Sequence, residues 1–148
     1  MTLHRSSELA IRAALFLAQQ APGKLSPVHE IAAHAGASEA YLSKVLQRLA
    51  SAGLVRSFRG FGKGTELAQS PERITLSSLI HATQGSLDSD ACVLGLGICS
   101  EEHPCAIHRD WVPLRDAIRD LVEKTTLADL IHNIHLVEET AVKEGGRS

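Results

Sequence analysis

The chain has 148 residues, 44% of them apolar and 22% charged, with a mean hydropathy of +0.01. That is enough for one domain with its own core and too little for two, and so apolar a chain with a net charge of only −2 is not disordered. Three cysteines are too few, and odd in number, for a disulfide framework; 3% aromatics over an Ala/Leu-rich remainder favours helices over a β-sandwich or barrel.

Residues 1–8 are polar and carry no signal-peptide pattern. No apolar run approaches the ~18 residues of a membrane span, so a cytoplasmic chain with reduced thiols is expected. Leu9, Ala13, Phe16 and Leu17 recur at helical spacing and predict a first amphipathic helix that stops near Ala21-Pro22-Gly23. Ser26 and Pro27 read as the N-cap and first residue of a second helix, whose stripe is Val28, Ile31, Ala32 and Ala35 and whose end is Gly36. Ser38 reads as the cap of a third helix that turns Leu42, Val45, Leu46 and Leu49 inward and ends at Ala52-Gly53. Two helices joined by a short Gly-containing turn make a helix-turn-helix.

Residues 54–58 and 65–68 predict two short strands around the tip Arg59-Gly60-Phe61-Gly62-Lys63-Gly64, a β-hairpin wing. Residues 75–84 predict a fourth helix with Leu76, Leu79 and Ile80 on one face, and 85–103 have no period and read as a loop. Ile107, Trp111, Leu114, Ile118, Leu121 and Val122 then mark the longest helix. It is expected to start near Pro104, with Pro113 in its first turn or kinking it. Its apolar face exceeds what a small core needs, which predicts a homodimer interface. Residues 126–131 predict a further short helix, and the terminal residues are expected to fray. The expected fold is thus mainly α with a small β-hairpin wing. A winged helix-turn-helix occupies 1–84, a loop 85–106, a long C-terminal dimerisation helix with a short terminal one 107–131, and a tail 132–148.

The small net charge conceals a polarity. Residues 1–75 carry nine Lys or Arg against five Asp or Glu, whereas 76–148 carry six against twelve. The outer face of the third helix presents Ser38, Ala40, Tyr41, Ser43, Lys44, Gln47 and Arg48, donors and cations of the kind that contact phosphates and base edges from a major groove. The wing tip adds Arg59, Gly60 and Lys63, where glycines allow close backbone approach. Seen alone, such a face is as often merely solvated. With a wing behind it and a cationic half-chain, it predicts double-stranded DNA as partner. The tip only superficially resembles a phosphate loop, because Gly64 and a strand follow Lys63 where a Walker sequence needs Ser or Thr and a helix. No nucleotide site, nucleophile–base pair or carboxylate pair survives inspection, so no enzyme is expected.

All three cysteines fall in the loop, as Cys92, Cys99 and Cys105, with His108 two residues beyond the last. Zinc sites mostly space paired cysteines two to four apart, whereas an iron–sulfur cluster is wider than one ion and tolerates long spacers. Gly95 and Gly97 would let the loop wrap it. A thiol-based redox regulator without metal is the alternative at this point. His132 and His135 lie at i, i+3 but make only half a site; His29, His34, His81 and His103 read as surface residues. Trp111 reads as interface packing or as a shield over a nearby cluster.

The stretch from Ser38 to Val55, then Arg59-Gly60, Gly62-Lys63-Gly64 and Ile74-Thr75-Leu76, resembles the Rrf2 type of winged-helix transcriptional regulators, which includes the IscR, NsrR and RirA iron–sulfur repressors. The resemblance runs from about Leu3 to Ile131. The wing departs from it, with Lys63 where the family usually has glycine, which adds a cation at the tip. The resemblance implies an iron–sulfur cluster on Cys92, Cys99 and Cys105, read out as iron–sulfur status, nitric oxide or redox state and controlling a repressor. For the fourth ligand it implies either His108, as in the branch with a 2Fe–2S centre, or Glu8 from the partner subunit, as in the branch with a 4Fe–4S centre. His108 and 2Fe–2S are placed ahead, and both alternatives stay open. The rival reading is a cluster-carrying electron-transfer or scaffold protein that does not bind DNA.

Overall fold

α1 (Arg5–Ala18) packs against α2 (Val28–Ala35), α3 (Glu39–Ser51) and α4 (Leu76–Gln84) around one core in a computed structural model that describes residues 2–87 and 92–133. β1 (Val55–Ser57) and β2 (Thr65–Leu67) form the antiparallel wing, with Val55 opposite Leu67 and Ser57 opposite Thr65. A short 3-10 turn, Pro71–Arg73, leads into α4, and α5 (His108–Lys124) follows the cysteine loop. A last helix begins at Leu127 and is described to residue 133. The expected mainly helical fold with a two-strand wing is the one observed.

Leu9, Ile31, Leu42, Leu49, Ile74, Leu79 and Leu127 are fully buried, and with Val55 and Leu67 of the wing they join α1 to α4, both strands and the last helix in one core. Each such side chain contributes about 1.5–3 kcal/mol of burial, against ~0.7 kcal/mol or less in helix propensity for ordinary residues. Packing of the 3.6-residue stripes, rather than propensity, therefore holds the helices. Caps define their ends. The Ser38 hydroxyl accepts from the Tyr41 N–H at 3.3 Å, and Gly36, at φ 70°, ends α2. Thr75 and Ser78 bond reciprocally at the start of α4, and Thr126 with Asp129 does the same for the last helix.

Three local expectations change. Ser26 is not the cap of α2. It is fully buried and bridges to Thr65, exchanging N–H···O bonds of 3.0 and 2.8 Å, so its backbone pins the wing to the start of α2 and Pro27 takes the N-cap position. α1 ends at Ala18, before Pro22, and α5 starts at His108 rather than near Pro104, after a turn in which the His108 N–H bonds the Cys105 carbonyl at 3.1 Å. Pro113 falls in the second turn of α5, where it removes the bond to the Arg109 carbonyl. The last helix also returns to the N-terminal half: Thr75 bridges Thr126, and Leu127 enters the core. No described helix is long and apolar enough to cross a membrane.

Candidate nucleic-acid interface and cysteine site

α3 buries Leu42, Val45, Leu46 and Leu49, which rotates Ser38, Tyr41, Lys44, Gln47 and Arg48 outward; Ser43 is half-buried beside them. A groove of about 310 Å³ separates this helix from the wing, and Ser43 and Gln47 face Arg59 and Lys63 across it. The structure thus brings together two sets of side chains lying far apart in sequence. Gly64 makes that possible. A Cβ there would stand 2.5 Å from the Ser26 carbonyl oxygen, so only glycine lets β2 lie against the start of α2. The Phe58 N–H to Gly64 carbonyl bond, 2.8 Å, then closes the wing below its tip.

Not every cation of the basic half faces outward in the same way. Arg5 and Arg12 donate to the Gly36 and Ala35 carbonyls, both at 3.2 Å, satisfying the C-terminus of α2. Arg56 pairs with Glu66 across the wing at 3.2 Å. Arg48 donates through one guanidinium nitrogen to the Thr83 carbonyl at 2.9 Å, so it ties α3 to α4 while its residue stays exposed. Lys44, Arg59 and Lys63 remain on the exposed face. The sequence does not show these docking bonds, because which arginine lies near helix-end carbonyls that lack donors is a tertiary fact.

In the loop the ligand candidates fall into two pairs. The Cys92 and Cys105 sulfurs are 4.0 Å apart, and the Cys99 sulfur lies 3.3 Å from Nδ1 of His108. A reversal of the chain makes the first pair: the Gly95 N–H bonds the Cys92 carbonyl and the Cys92 N–H the Gly97 carbonyl, both at 2.8 Å. The N–H groups of Leu96 and then Leu94 hold the Cys92 thiol below its ordinary value against the opposing effect of burial, with the Cys105 thiol and the Gly95 N–H adding to them. Those donors favour the thiolate, which is the metal-binding form. Two thiolates on one tetrahedral ion with ~2.3 Å bonds lie about 3.8 Å apart. Each pair is close to the separation one metal ion imposes, and among the described residues no three such groups surround a single point. By residue type, three thiols and one imidazole in two pairs are donors that a group with more than one metal ion could use.

Glu8 lies in the first turn of α1 and pairs with Arg5 at 3.6 Å. His34 rests against Phe16, with ring centroids 4.9 Å apart. His135 and the tail beyond residue 133 lie outside the described residues.

The Rrf2 family profile, described as an iron-dependent transcriptional regulator, matches residues 3–133. The HTH-type transcriptional regulator IscR of Vibrio campbellii is 30% identical over 138 residues, covering 93% of this chain and 82% of that protein. Among solved structures, CymR (YrzC), the global cysteine regulator of B. subtilis, superimposes with a TM-score of 0.77 at 26% identity, covering 89% of this chain and 97% of the other. The structure of T. potens IscR gives 0.69 at 27% identity, over 90% and 88%. With a wing and an exposed recognition helix facing one groove, the reading as an electron carrier that does not bind DNA is set aside. The chain belongs to the Rrf2 family of winged helix-turn-helix, DNA-binding transcriptional regulators, which are not enzymes.

Proposed function

We propose that this chain is a homodimeric, cytoplasmic repressor that senses iron–sulfur status, nitric oxide or redox state through a cluster held by Cys92, Cys99, Cys105 and His108. The observation that carries it is the pairing of Cys92 with Cys105 and of Cys99 with His108. The pairing favours a 2Fe–2S centre with His108 as fourth ligand; a 4Fe–4S centre completed by Glu8 of the other protomer is the second reading. When bound, such a cluster supplies one-electron chemistry and metal–ligand bonds between the loop and α5. The residues supply the rest. The backbone donors around Cys92 favour its thiolate, and the turn from Cys105 to His108 joins both pairs to the first turn of α5.

α5 is the proposed dimer helix. It contains no buried residue, and Leu114 and Leu121 are 58% and 62% exposed. Trp111 on the same helix has its indole nitrogen shielded from solvent with no acceptor among the described residues. A symmetric pair would place two α3 helices on a pseudo-palindromic operator, with Ser38, Tyr41, Ser43, Lys44, Gln47, Arg48, Arg59, Gly60 and Lys63 at the DNA. The regulatory domain plan is the DNA-reading unit of 1–84, the sensor loop of 85–106, the dimer region of 107–131 and a tail over 132–148.

Protein purified without oxygen is expected to be coloured and to contain iron and sulfide. Its visible spectrum should change in His108→Ala and stay as in wild type in Glu8→Ala. The opposite pattern assigns Glu8, and a colourless protein with stoichiometric zinc sinks the cluster. On the DNA side, Arg59→Ala should lower the slope of log K against log salt by about one, the share of one phosphate contact. An unchanged slope removes Arg59 from the phosphates.

A further inference from the structure

Phe61 sits at the apex of the wing with its side chain wholly in solvent, at 106% exposure, the highest of any large apolar side chain among the described residues. The backbone holds it there. The Lys63 N–H bonds the Gly60 carbonyl at 3.2 Å, which makes Phe61 and Gly62 the two central residues of a tight turn. Gly62, at φ 70°, occupies the third position, where a positive φ selects glycine, and Gly60 precedes at φ 108°. Turn apices ordinarily carry small or polar residues. Here the apex offers a whole aromatic ring to whatever the wing meets, and burying it removes more apolar area from water than any other side chain of the tip could.

The surroundings identify the partner. Arg59 and Lys63 bracket Phe61 in sequence, both are exposed, and both line the groove shared with α3. An apolar ring between two cations matches a surface that is anionic at its edges and apolar between them, which is the character of a DNA groove with phosphates on both rims. The major groove is taken by α3 in the DNA-binding reading on which this inference rests. The short hairpin holds its tip beside α3, next to the minor groove that flanks the major one.

We propose that Phe61 is an apolar wedge that enters the minor groove and partly unstacks one base step under the wing. Arg59 and Lys63 hold the flanking phosphates. The wing then reads deformability rather than base edges, so bound sites carry an easily unstacked pyrimidine–purine step, TA or CA/TG, at that position.

The test begins with duplexes selected from a randomised DNA pool by the wild-type protein, re-synthesised with 2-aminopurine at successive steps of the half-site flanks. Wild type should raise the fluorescence at one step, and Phe61→Ala should abolish that rise and weaken binding by about tenfold, as expected for loss of one stacked aromatic contact. Phe61→Leu should retain most of both, and the salt slope should be the same in all three proteins, because no phosphate contact is removed. An unchanged fluorescence rise in Phe61→Ala, or no rise at any step with wild type, overturns the wedge while leaving DNA binding intact. Failure of the wild type to select any duplex overturns the DNA-binding reading and the wedge with it.

Discussion

Replacing Cys99 by alanine is expected to lower iron and sulfide in anaerobically purified protein roughly tenfold or more, since even groups that merely support metal ligands are worth 10–100-fold in affinity. Cys99 stands 3.3 Å from His108 and is the only sulfur in that pair, so its loss would leave an imidazole alone where the proposed cluster needs two ligands. The change should spare the fold. The loop around Cys99 exposes Leu94, Leu96 and Ile98 by 53%, 73% and 76%, and Cys99 itself lies outside the core. Far-ultraviolet circular dichroism should therefore match wild type, while cleavage of the loop by protease should become faster because metal binding and loop ordering are one equilibrium. Iron content equal to wild type would remove Cys99 from the ligand set. A fall in iron together with lost helicity would show that Cys99 acts through the fold.

Gly64→Ala should have the largest structural effect of any single methyl added to the wing. The new Cβ would lie 2.5 Å from the Ser26 oxygen and 2.6 Å from its carbonyl carbon, both backbone atoms. Ser26 cannot retreat, because its N–H and carbonyl are both bonded to Thr65 and Pro27, the N-cap of α2, follows it immediately. Overpacking of this kind costs about 1–3 kcal/mol, which for a chain of this size lowers Tm by roughly 4–10 °C. DNA affinity should fall further than stability alone explains, since the collision lies at the joint that sets the distance between wing and α3. Gly23→Ala is the control: its φ is 80° and nothing lies within 4 Å of its Cβ, so only backbone strain opposes it, outside the wing. Equal losses of affinity in the two variants would show that the close approach of β2 to Ser26 does not position the wing.

The helices were legible because burial of one face imposes a period of 3.6 residues. Leu42, Val45, Leu46 and Leu49 are buried as their spacing requires, and the Ser38 cap and the Gly36 stop are local chemistry. The wing was legible from glycines between two short apolar-containing runs. Ser26 was not, because a serine before a proline satisfies the local pattern of a helix cap equally well. Its true partner, Thr65, lies thirty-nine residues away and leaves no trace in the neighbouring residues. From residue types and spacing the cysteine loop reads as a candidate ligand set, which the proposed cluster would use. The division into two pairs follows from the chain reversal at Cys92 and the helical turn from Cys105 to His108, which spacing does not encode.

The charge polarity shows the same division. By itself the sequence determined that one half of the chain is cationic and carries a helix-turn-helix, since counts and periodicities are properties of the residues alone. Only the tertiary structure decided which of those cations spend hydrogen bonds on the protein itself, although all stay exposed. Arg5 and Arg12 satisfy the end of α2, Arg48 docks on α4, and Arg56 pairs with Glu66, whereas Lys44, Arg59 and Lys63 face outward. The physical reason is that a helix end must find hydrogen-bond partners wherever packing places it, and the nearest arginine supplies them before any phosphate does.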